Sequence, residues 1–63
     1  MTPAEEAAYY VDLARKHAMR PEYRWCADKM DDIADTIERT GRLSPRQKQA
    51  IEHFILGRLK HDI

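Results

Sequence analysis

Apolar residues recur along this chain with the period of a helix. Between residues 23 and 37 the positions Tyr23, Cys26, Met30, Ile33 and Ile37 advance in steps of three and four, which puts them on one face of a helix of about 3.6 residues per turn. Ala50, Ile51, Phe54, Ile55 and Leu59 form a similar stripe further on, with Leu43 ahead of it to pack across the helix start. Ala4, Ala7, Val11, Ala14 and Ala18 line one side of the first segment with small side chains, so its backbone can lie close to a neighbour. Nowhere does the strict alternation of a strand appear. The pattern predicts an all-α fold: a small three-helix bundle in which helices two and three form an antiparallel hairpin.

Breakers sharpen the boundaries, because proline and glycine occur only at Pro3, Pro21, Gly41, Pro45 and Gly57. Thr2-Pro3-Ala4-Glu5 reads as a capping box, with the Thr2 hydroxyl accepting from an orphan N–H and Glu5 reaching back. Ser44-Pro45-Arg46-Gln47 repeats the device. The ring of Pro21 interrupts the first helix and pushes Arg20 away from helical angles, and Gly41 supplies a left-handed stop to the second. The helices are therefore expected at residues 3–19, 22–40 and 45–61, in a single domain spanning 1–63.

Length narrows the functional classes. A chain of 63 residues buries only about 60% of the surface it exposes when unfolded, which leaves one thin core and no deep, walled cleft. An enzyme is not expected, and no side chains group as a nucleophile with its base or as a phosphate loop. Cys26 is the single cysteine, so neither an intramolecular disulfide nor a cysteine-rich zinc framework is available, and a cytoplasmic, reducing setting fits. His17, His53 and His61 are too scattered for a metal site. No cofactor is expected. The acidic start Thr2-Pro3-Ala4-Glu5-Glu6 lacks a leader's apolar segment, and no run of apolar residues is long enough to span a membrane.

The chain is neutral overall, with eleven Lys plus Arg against eleven Asp plus Glu, but the charges are separated. Residues 21–41 carry six acids (Glu22, Asp28, Asp31, Asp32, Asp35, Glu38) and three bases (Arg24, Lys29, Arg39). Residues 42–63 carry five bases (Arg42, Arg46, Lys48, Arg58, Lys60) and two acids (Glu52, Asp62). Such complementarity favours attraction between the helices and otherwise solvated faces.

Asp28, Asp31, Asp32 and Asp35 stand at i, i+3, i+4 and i+7, which gathers four carboxylates on an expected ridge opposite the core stripe. Like charges at this spacing disfavour the helix, and a ridge of this kind suits a basic protein surface. Trp25 is expected at its border, either as an interface anchor or as a cover for the joint with the first helix. Tyr9 and Leu13, at i and i+4 on the far side of the first helix, offer a second patch; a homodimer would hide it, and docking of the first helix on a partner is the other solution. The alternative is nucleic-acid binding through Arg42, Arg46, Lys48, Arg58 and Lys60, opposed by Glu52, Asp62 and the acidic second helix.

The stretch Gly41-Arg42-Leu43-Ser44-Pro45-Arg46-Gln47-Lys48-Gln49-Ala50-Ile51 resembles the G-x-L-[ST]-x-x-Q-x-x-[AL]-[IL] helix start of many small phage and prophage proteins, in which an amphipathic helix like Trp25 to Arg39 comes just before. This resemblance covers about half the chain. It implies an accessory protein that binds a host protein stoichiometrically in the host cytoplasm and inhibits host machinery or an antiviral defence. Leu43-Ser44-Pro45-Arg46-Gln47, an apolar helix and then Gly57 also look like the opening of a LuxR-type helix-turn-helix. In that family a recognition helix follows the glycine. Here only the stretch to Ile63 follows it, so the likeness supplies no base-reading residue.

Overall fold

A computed structural model describes residues 2–57 of the chain. It is a small all-α bundle with the order α1 (Pro3–Ala18), a 3-10 turn (Pro21–Tyr23), α2 (Ala27–Thr40) and α3 (Pro45–Leu56). Both capping boxes form as the sequence predicts: Thr2 and Glu5 close the start of α1, and Ser44 and Gln47 close the start of α3. Gly41 and Gly57 follow α2 and α3 at φ 69° and 73°, left-handed angles that a β-carbon disfavours.

Cross-helix contacts set the directions. Glu6 and Tyr10 of α1 meet Lys48 and Glu52 of α3 in the same order, so these helices run parallel. The first turns of α1 lie by Gly41, beyond the end of α2, and Arg15 near the other end of α1 reaches Asp31 and Asp35, so α1 and α2 run antiparallel. Helices α2 and α3 therefore form the expected antiparallel hairpin. The most extensive packing is nevertheless between α1 and α2. Small side chains explain this, since Ala14 of α1 and Ala34 of α2 are both fully buried and let the backbones approach. The remaining core is Ala7, Cys26, Met30, Ile37, Ile51 and Phe54.

Three expectations are corrected. The second helix starts at Ala27 rather than 22, because Tyr23 and Trp25 both turn inward, and two residues in an α-helix point about 200° apart. The tighter 3-10 turn, followed by Cys26 at φ −129° and ψ 7°, resolves the conflict: Tyr23 Oη donates to the Ile55 carbonyl at 3.0 Å and the Trp25 ring meets Phe54 edge-on. Helix α3 stops at Leu56 because Gly57 turns left-handed; the expected stretch 58–61, with Leu59, lies outside the described residues. Ala4 is exposed, so the buried stripe of α1 begins at Ala7. Among the described residues, no helix is long and apolar enough to cross a membrane.

Because Ala34 is sealed where α1 and α2 approach, Ala34→Leu overpacks the joint and should lower unfolding free energy by about 1–3 kcal/mol, read from urea denaturation. Ser44→Ala removes the α3 cap and should lower it by about 1 kcal/mol in the same measurement.

Candidate functional site

The polar surface is organised by one cation that the ridge alone does not reveal. Arg15 stands on the α2-facing flank of α1, beside Ala14, and reaches three carboxylates of α2. Its Nη2 donates to Asp35 Oδ1 at 2.8 Å, its Nε donates to Glu38 Oε1 at 3.1 Å with Nη2 adding a second bond to that oxygen, and its Nη1 lies 3.8 Å from Asp31. The hydrogen bonds it donates to Asp35 and then to Glu38 raise Arg15 above the ordinary guanidinium value, so it stays charged. The cluster is exposed, with the Arg15 side chain 40% accessible, so it is a solvated network rather than a buried ion pair.

The four aspartates of the expected ridge therefore divide. Asp31 and Asp35 face α1 and share Arg15 with Glu38. Asp28 and Asp32 lie on the outer face, exposed and in no ion pair among the described residues. Arg15 was not among the predicted site residues. Nothing in the sequence sets it apart from its neighbour Lys16, and the acids it hydrogen-bonds are twenty or more positions away.

The other predicted residues are placed as follows. Trp25 precedes α2 instead of bordering the ridge, and it turns toward α3, with its ring centroid 5.9 Å from that of Phe54. This packing seats Trp25 on the core beside α3, not over the joint with the first helix that the sequence suggests. Tyr9 is 51% exposed, as expected of a patch residue. Leu13 does not join it: the flank formed by Tyr10, Leu13 and His17 lies against α3 and the 3-10 turn, and Leu13 packs on the core. Of the predicted basic cluster, Arg42 and Arg46 are exposed, while Lys48 lies 3.8 Å from Glu6 and 5.7 Å from the centre of the Tyr10 ring. Arg58 and Lys60 lie outside the described residues.

Two further side chains have altered acidity. Burial pushes the Cys26 thiol up, which suppresses the thiolate and its reactivity. Tyr10 Oη donates to Glu52 at 2.8 Å, and partial burial, reinforced by that carboxylate, raises the phenol from 10.0 to about 12. Among the described residues there is no group of three potential ligands that could hold a metal ion.

No protein-family model matches the sequence, no curated protein is similar to it, and no solved structure matches it.

The raised phenol fixes a pH dependence. The folded chain holds the Tyr10 proton more tightly than the unfolded chain, so this contribution to stability is complete below pH 10 and is lost as the pH climbs toward about 12. Absorbance of the phenolate should show one tyrosine ionising near that upper limit, and Glu52→Gln should move this step toward the ordinary value.

Proposed function

We propose that this chain is a stoichiometric binding module that turns over no substrate and covers a basic surface of a larger protein with the acidic face of α2. The observation that carries the reading is the pair Asp28 and Asp32, one helical turn apart and exposed, in no ion pair among the described residues. Beside them, Asp31, Asp35 and Glu38 share the single guanidinium of Arg15. Like charges at i, i+4 weaken a helix by a few tenths of a kcal/mol, roughly 0.2–0.5, and a basic partner would turn that repulsion into attraction. The likeness of Gly41 to Ile51 to helix starts in small phage proteins supports a host-cell protein as the partner, with inhibition by masking as the mode of action.

The test pairs a binding measurement with a folding control. Tagged chain in host lysate should retain one dominant polypeptide in stoichiometric amount. Asp28→Lys combined with Asp32→Lys should abolish retention while helicity by circular dichroism survives. Retention unaffected by the double substitution would remove the acidic face from the mechanism. Salt-sensitive retention on duplex DNA, lost when Arg46 and Lys48 become Glu, would support the nucleic-acid reading instead. A sedimentation mass of twice 7.4 kDa with no other ligand would make the chain a homodimerisation module.

A further inference from the structure

An open groove of about 400 Å³ runs between α1 and α2 next to the Arg15 cluster. Its apolar lining is Ala8 and Val11 of α1 with Ile37 of α2, and Asp12, Arg15 and Glu38 supply the polar lining. Gly41 lines it as well, and nothing comes within 4 Å of the place a β-carbon would occupy there. A second hollow of about 380 Å³, bounded by Pro3, Glu6, Arg42 and Leu43, meets the first at Gly41. The groove is near the lower end of the range of small-molecule sites, roughly 300–1,000 Å³, and it lies open along the helices, a shape that suits side chains projecting from a partner segment.

We propose that this groove receives a cationic amphipathic segment of the partner protein, with an apolar side chain over Ala8 and Val11, above the buried Ile37, and a neighbouring Lys or Arg that competes with Arg15 for Glu38 and Asp35. The inference rests on the acidic-face reading and adds the position of the anchor. Charge selects this occupant. Three α2 carboxylates share one guanidinium, Asp12 is held by Lys16 at 3.0 Å, and Asp28 and Asp32 continue the negative surface beyond them. The groove also ends at the C-terminus of α2, where carbonyls carry partial negative charge. A second copy docking groove to groove across a two-fold axis would set these acids against their own equivalents. A nucleic acid would meet the same carboxylates with its phosphates.

The probe is a synthetic Lys-rich helical peptide of about four turns with Leu along one face, compared with a scramble of identical composition. Amide resonances of labelled protein report the place of binding, and Gly41, one of two glycines in the chain, is a convenient marker. The amphipathic peptide should shift Gly41, Ala8 and Val11 and bind roughly tenfold or more tightly than the scramble, a difference of about 1.4 kcal/mol. Ala8→Arg, which lays a long cation into the groove from an exposed helical position, should weaken binding by a similar factor with unchanged circular dichroism. Arg15→Gln should strengthen it severalfold, since the carboxylates lose their internal partner.

Equal binding of the scramble, or shifts confined to Asp28 and Asp32, would overturn the groove assignment. Loss of binding in Asp28→Lys with Asp32→Lys but not in Ala8→Arg would leave the acidic face standing and remove the groove. The reverse pattern would keep the groove and remove the acidic face. Gly41 shifts that grow with protein concentration in the absence of peptide would make the occupant a second copy, and shifts on adding duplex DNA would make it a nucleic acid; either outcome overturns the proposal.

Discussion

Arg15 stands between α1 and a run of carboxylates on α2 that repel one another at every helical spacing. Asp31, Asp35 and Glu38 lie three and four residues apart, and without a cation among them their mutual repulsion would act along the flank where α2 meets α1. One guanidinium answers all three, because its planar fork presents several donors at once where a lysine offers a single point. An exposed ion pair taken alone stabilises a fold very little. Here the cation removes a penalty and fixes which side of α2 turns toward α1, while the buried alanines bring the two helices close enough for it to reach.

Much of this architecture was legible because its punctuation is local. The boxes at Thr2 to Glu5 and Ser44 to Gln47, and the stops at Gly41 and Gly57, each depend on chemistry within a few residues, and each forms as written. The region between Arg20 and Ala27 was not legible. A single period assumes that one face is buried, whereas Tyr23 reaches Ile55 and Trp25 meets Phe54 from positions that no continuous helix could turn the same way. Ala34 is hidden for a different reason: alanine adds little to an apolar stripe, yet its smallness is what a close crossing requires. Leu13 lies outside the single apolar stripe yet packs on the core, because a helix touched by two neighbours buries more than one stripe.

The acidic surface was visible as a spacing, but its division into engaged and outward-facing carboxylates was not. That division depends on Arg15, which belongs to another helix and becomes a neighbour only when the bundle closes. The groove beside it was hidden for the same reason, since Val11 and Ile37 are core-stripe residues in sequence and become the lining of a shared cleft once two stripes meet at an angle that leaves Ala8 uncovered. A charge pattern can be read along a single helix; a concavity requires two.

The bond from Tyr23 to the Ile55 carbonyl ties the turn after α1 to the last turn of α3. It closes a loop of about thirty residues, and the Tyr10–Glu52 bond closes a longer one, so both carry a larger closure entropy than the Arg15 contacts that join α1 to α2. The molecule is thus kinetically uneven: the first two helices can find each other early, and the third is latched onto a platform already assembled. Among the described residues its far end is held by that phenol and by Phe54 under the Trp25 ring, so both must part before α3 can lift away.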